Sequence, residues 1–147
     1  MELRVDVIRQ VRKQIKFPSD LYKLLCDTYG HDEQENFLVV PLDAEHYPIR
    51  IIMVTRGLVN RTMVHPREMF REAIKLNSAA ILIAHNHPSG GIEPSREDDE
   101  VTKMLVEAGR IIGIEVLEHL VFTKDRYYSY AEHKFSRIGG VNENTEV

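Results

Sequence analysis

The 147-residue sequence has one cysteine and no excess of basic charge, and no apolar run comes near the roughly 18 residues of a membrane span. A single thiol excludes an internal disulfide, and it excludes a cysteine-based zinc ribbon built within one chain. That thiol, Cys26, lies in the apolar run Leu24-Leu25-Cys26, so a buried core position is expected for it. The formal net charge of −4 argues against a strongly basic, non-specific DNA binder. Arg4, Arg9, Arg12, Lys13 and Lys16 still offer a local basic stripe. The first residues alternate apolar and charged side chains, unlike a signal peptide, and the expectation is a soluble, cytoplasmic protein with no membrane partner.

Hydrophobic residues make up 43% and charged residues 29%, close to ordinary globular usage, so a chain of this length suits one domain with a real core. That domain is expected over residues 1–138, with 139–147 a loose tail, because from Gly139 the chain turns polar and rich in Gly and Asn. Leu3, Val5 and Val7 alternate with Glu2, Arg4 and Asp6 as in a half-buried strand, although a short helix over Val5, Ile8, Val11 and Ile15 fits as well. Pro18-Ser19-Asp20 starts a helix with Leu21, Leu24 and Leu25 on its apolar face. Phe37 to Leu42 is a continuous apolar run, as in a strand covered on both sides, and Ile49 to Thr55 is its hairpin partner across the turn Asp43 to Pro48. Pro66 opens a helix with Met69, Phe70, Ala73, Ile74 and Leu76 on one side. Ala79 to Ala84 reads as a central strand. A Gly- and Pro-rich loop leads to a helix that starts at Ser95 and stops near Gly109. Ile114 to Phe122 is another strand, Tyr127 to Tyr130 a short one, and Ala131 to Lys134 a short helix. The fold class is mixed α/β.

The chemistry concentrates in residues 85–98, His-Asn-His-Pro-Ser-Gly-Gly-Ile-Glu-Pro-Ser-Arg-Glu-Asp. His85 and His87, two apart at the end of a strand, point to the same side. Two imidazoles placed where an apolar strand leaves its sheet can hold one metal ion, and strand ends in α/β sheets are where ligands bind. Asp98, in the first turn of the following helix, offers a third ligand, and Gly90 and Gly91 let the loop fold back. Two His and one carboxylate leave a fourth position open for water, the pattern of a catalytic zinc, which lowers the pKa of that water to about 7 and polarises a carbonyl. Each part also has a plainer reading. His-x-His is common on surfaces, and Ser95-Arg96-Glu97-Asp98 loosely fits a helix capping box with Asp in place of Glu.

Two other readings fail on spacing. The tripeptide His-Asn-His is not the nuclease signature of the same letters, which is spread along a longer ββα motif. A cytidine deaminase needs His-x-Glu and Pro-Cys-x-x-Cys, whereas His87 stands where the Glu belongs and Cys26 is alone and upstream.

His85, His87, Ser95 and Asp98 match the JAMM (MPN+) metallopeptidase signature: His-x-His, seven residues, Ser, two residues, Asp. The wording His-Asn-His-Pro-Ser-Gly followed by Pro-Ser-x-x-Asp resembles the RadC branch of that superfamily. So do Val64-His65-Pro66-Arg67-Glu68 with Ala73 and Ala79-Ala80, Glu118-His119-Leu120-Val121, and Tyr128-Ser129-Tyr130. The resemblance covers roughly residues 33 to 133. It implies a JAMM/MPN-like fold, with a cytidine-deaminase-like central mixed sheet flanked by helices. It implies a zinc-dependent hydrolase acting on a peptide or isopeptide bond of a protein or peptide substrate, with Zn2+ held by His85, His87 and Asp98. Ser95 would help to stabilise the oxyanion. The family also uses an upstream Glu as general base, and Glu35 in Glu35-Asn36-Phe37 matches, with Glu33 and Glu45 as fallbacks. Glu118 stands where the family usually has Asp. His119 reads as a core or structural residue, and His46 and His65 as surface or loop histidines. The alternatives are a non-catalytic MPN-type binding module and a DNA-repair-associated RadC-like role. The Gly-rich helix-hairpin-helix region of longer RadC proteins is not seen here, so a nucleic-acid partner is not expected.

Overall fold

The computed structural model describes the backbone of residues 3–4 and the whole of residues 13–60 and 62–135. Val5, Val7, most of the basic stripe and the tail 139–147 lie outside the described residues. The elements run β1 (Leu3–Arg4), α1 (Pro18–Tyr29), β2 (Asn36–Leu42), β3 (Ile51–Arg56), α2 (Pro66–Lys75), β4 (Ala80–Asn86), α3 (Arg96–Ile112), β5 (Glu115–Phe122), β6 (Tyr127–Ser129) and α4 (Tyr130–His133). One mixed sheet has the order β1-β3-β2-β4-β5-β6. β2 runs antiparallel to both β3 and β4, whereas β4 and β5 are parallel and joined by α3. This is the mixed α/β architecture read from the sequence, down to the β2–β3 hairpin.

The two-residue period of the strands divides the core. Phe37, Val39, Ile81 and Ile83 turn to one face, where Met69 and Phe70 of α2 and Val101 and Leu105 of α3 cover them. Leu38, Val40, Leu82 and Ala84 turn to the other, against Leu21, Leu25 and Tyr29 of α1. β2 and β4 are buried along their whole length, which is why both read as unbroken apolar runs. Among the described residues no helix is long and apolar enough to cross a membrane.

Two local expectations change. Cys26 is half-buried rather than a core thiol, and its Sγ lies 3.4 Å from the Lys124 carbonyl. Residues 21, 25 and 29 set the buried stripe of α1, and Cys26 lies one residue, about 100°, around the helix from it. Nor does α3 stop at Gly109. It runs on to Ile112 and ends on Gly113, whose φ of 87° is the left-handed C-cap conformation.

Gly109 is inside the helix because β5 passes too close for a side chain. A Cβ there would lie 2.5 Å from the Ile114 carbonyl oxygen, 3.2 Å from Phe70 and 3.3 Å from Val116. Alanine at Gly109 would gain about 1 kcal/mol of helix propensity, but overpacking against backbone costs about 1–3 kcal/mol. Gly109→Ala is therefore expected to lower the urea midpoint, and Gly109→Val to lower it further. A midpoint at or above wild type in Gly109→Ala would show that α3 can draw back from β5.

Candidate metal centre

The topology puts the C-terminal end of β4 beside the N-terminal end of β2 and the C-terminal end of β5, and α3 begins over the same end. His85 is the partner of Phe37 on β2 and of Val121 on β5, and it is fully buried with Phe37 stacked on its ring. His87 follows just beyond the strand, its backbone N–H donating to the Phe122 carbonyl at 2.8 Å. Asp98 sits in the first turn of α3 and is 2% exposed. The capping box is fully formed: Ser95 Oγ accepts from the Asp98 N–H at 3.0 Å, and the Ser95 N–H donates to Asp98 Oδ2 at 2.8 Å. The plainer reading of Ser95 and Asp98 as a helix cap thus holds. The cap is what brings the Asp98 carboxylate over the end of β4.

His85 Nε2 and His87 Nε2 lie 2.9 Å apart, and Asp98 Oδ1 and Oδ2 lie 3.2 and 3.3 Å from them, respectively. The surrounding hydrogen bonds assign the protons. His87 Nδ1 meets the Gly91 carbonyl at 2.8 Å, so that nitrogen carries the hydrogen and Nε2 a lone pair. Thr102 Oγ1 donates to the Asp98 carbonyl and so accepts from His119 Nδ1. Burial holds His119 well below its usual pKa, with His85 adding to the effect, so it is neutral. Its Nε2 then accepts from His85 Nδ1 at 2.8 Å, leaving a lone pair on His85 Nε2. Two lone pairs and a carboxylate therefore converge on one point, an arrangement that suits a shared cation. The ligand atoms of His85, His87 and Asp98 all lie within 4.8 Å of one another, so this cluster can hold a metal ion.

The carboxylate that would meet a cation also favours a proton on the imidazoles. Burial opposes charge on His87, but the Asp98 carboxylate and the Gly91 carbonyl outweigh it and raise its pKa. Burial would raise the Asp98 carboxyl, yet His85 and His87 hold it far below the ordinary carboxylate range. The positive end of α3 acts in the same direction.

Glu35 is half-buried just before β2, and its Oε2 accepts from the Val59 N–H at 3.2 Å. It lines an open cleft of about 790 Å³ with Leu58, His87, Ser95 and Asp98. Glu33 is exposed on the same cleft. Glu45 is not brought to it. It lies in the turn after Leu42, which pairs with Ala80 at the far end of β4. A second cleft, of about 470 Å³, meets the first at Glu33, His87 and Pro88 and continues toward Lys124 and Arg126.

Thr102 and Asn86 were missed in the sequence. The signal for Thr102 was its spacing, one helical turn after Asp98. His119 is buried as expected, but it is also the direct partner of His85.

Glu118, next to His119, is fully buried. Burial pushes its carboxyl up to about 8, against hydrogen bonds from Ser129 Oγ and from the Ala131 and His119 N–H groups. The unfolded chain releases this proton near 4.5, so between about pH 4.5 and about pH 8 the folded state holds a proton the unfolded state has lost, and stability falls as pH rises. Glu118→Gln has no such proton. Urea titrations from about pH 5 to about pH 8 should show a smaller loss of stability in Glu118→Gln than in wild type. Equal slopes in the two proteins would remove Glu118 as the cause.

The chain is similar over residues 15–135 to the RadC-like JAB domain. It is 46% identical over 132 residues to a UPF0758 protein of Alkaliphilus oremlandii (strain OhILAs), covering 89% of this chain and 57% of the relative. It is 44% identical over 130 residues to UPF0758 protein STH371 of Symbiobacterium thermophilum, covering 88% and 56%. A UPF0758 protein of Methanosarcina mazei is 36% identical over 128 residues, covering 87% and 56%. The chain thus spans about half the length of the curated relatives it matches, and it belongs to the RadC-like JAB domain family.

Proposed function

We propose that this domain is a zinc-dependent hydrolase that cleaves a peptide or isopeptide bond, with His85, His87 and Asp98 as ligands, Glu35 as general base and Ser95 as an oxyanion donor. The observation that carries this reading is the convergence of two lone-pair imidazole nitrogens and one carboxylate at the mouth of an open cleft. A tetrahedral zinc with bonds of about 2.0–2.2 Å holds its donors roughly 3.3 Å apart, close to the separations of 2.9, 3.2 and 3.3 Å here. Bound there, zinc would activate a water and polarise the scissile carbonyl.

The chain's own residues supply the rest. Glu35, half-buried on the same cleft as His87, would take a proton and later return it to the leaving amine. The Ser95 oxygen is already engaged as acceptor from the Asp98 N–H, so its own proton is left to donate toward a developing oxyanion. His119 and Thr102 keep the His85 tautomer fixed. The two clefts meet at His87, so a polypeptide can extend to both sides of the reacting bond, with Leu58, 74% exposed, on one side and Arg126 on the other. An open trough suits a chain better than a small enclosed molecule.

Purified protein should carry about one zinc per chain, and the His85→Ala, His87→Ala double variant should lose it. Metal analysis at full stoichiometry in that variant would sink the ligand assignment. Glu35→Ala should keep the metal and lose about 10²–10⁴-fold in hydrolysis of a peptide or isopeptide-linked substrate pool. Activity surviving in Glu35→Ala would exclude it as base. Zinc bound at full stoichiometry, with no hydrolysis by wild type, would favour the binding module.

A further inference from the structure

Asn86 stands between the two histidines and is 1% exposed. β4 stays paired with β5 through Asn86 and Phe122, but its ladder with β2 stops one pair earlier, at Phe37 and His85. The next pair would be Asn36 and Asn86. The Asn86 side chain fills that gap. Its Oδ1 accepts from the Asn36 N–H at 2.7 Å, and its Nδ2 donates to the Gln34 carbonyl at 2.8 Å. The carboxamide has taken the place of a peptide unit: its two shortest backbone bonds flank Glu35 on either side, and Nδ2 also reaches the Asp32 carbonyl at 3.5 Å. The Glu35 carbonyl itself accepts from the Gly57 N–H at 2.8 Å.

We infer that Asn86 is the positioning residue for Glu35: it fixes the distance between that carboxylate and the metal ligands by tying the backbone around Glu35 to the strand residue between His85 and His87. The inference rests on the proposed role of Glu35. Arg56, the β3 partner of Asn36, also grips this loop: its side chain bonds the side chains of Asp32, Gln34 and Asn36, Asp32 in a bidentate pair. Asn86 binds main chain in a buried site, where a lost partner leaves an unsatisfied group and the loop must shift. No residue but asparagine supplies one donor and one acceptor at this reach. Aspartate keeps the bond from Asn36 but sets a second acceptor against the Gln34 carbonyl.

The test uses the intact protein loaded with Co2+ in place of zinc, and reads metal content and the pH dependence of the visible cobalt spectrum. A carboxylate hydrogen-bonded beside the metal shifts that titration, whereas a simple loss of stability does not. Glu35→Gln should move the apparent midpoint. Asn86→Ala should keep full metal content and move the midpoint in the same direction by at least half as much, and the double variant should move it no further than Glu35→Gln alone. If Asn86→Ala does not fold, Asn86→Asp carries the same comparison, with a shift in the same direction. An Asn86 variant that titrates like wild type, while Glu35→Gln is shifted, overturns the positioning role alone. A Glu35→Gln protein that titrates like wild type overturns the reading of Glu35 and this inference with it.

Discussion

His85 Nε2 and His87 Nε2 face each other at 2.9 Å, and the hydrogen bonds behind them leave neither with a proton to give the other. Buried lone pairs at that distance repel, and the Asp98 carboxylate beside them adds negative charge rather than relieving it. Each group is nevertheless held. Gly91 orients one ring, and His119 with Thr102 the other, while the capping box holds the carboxylate. A polar cluster that is satisfied everywhere except at its centre is suited to receive a cation. The strain is local, and the apolar core around it, Phe37 stacked on His85 and Tyr130 stacked on His119, keeps the rings from turning away.

Asp98 joins this electrostatic requirement to the fold. Its Oδ2 accepts from the Ser95 N–H and its backbone N–H donates to Ser95 Oγ, so the start of α3 and the third candidate ligand are one structure. A carboxylate buried to 2% exposure is costly unless paired. Here the cap, the helix N-terminus and the two imidazoles share that task. The ligands rest on a strand end and a helix's first turn, elements that move little, whereas Glu35 enters from a loop and needs a separate tie.

Much of this was legible in the residues. The alternation and apolar runs placed β2, β4 and β5 to within about two residues, the usual spread of element ends, and the spacing of His85, His87, Ser95 and Asp98 marked one site. What escaped were matters of pairing. Gly109 looked like a helix stop because local propensity says nothing of the Ile114 carbonyl lying against it. Cys26 looked like core because an apolar run does not reveal which 100° step faces the sheet. Thr102 and Asn86 carry no mark of function in isolation, since each matters through a partner 17 or 50 residues away.

The register between β2 and β4 decides which acid can serve this site. Because the strands are antiparallel and Phe37 sits opposite His85, residues just before β2 lie at the ligand end and residues just after it lie at the opposite end. Leu42 opposite Ala80 is five pairs away, which at about 3.4 Å per residue places the turn with Glu45 roughly 17 Å from His85. Parallel pairing of the same two segments would have reversed the choice. Glu33 reaches the cleft but is exposed, while Glu35 is half-buried and its carboxylate accepts from the Val59 N–H. Strand direction thus brings the whole patch Asp32-Glu33-Gln34-Glu35 to this end and excludes Glu45, and within the patch burial and the bond from Val59 set Glu35 apart from Glu33.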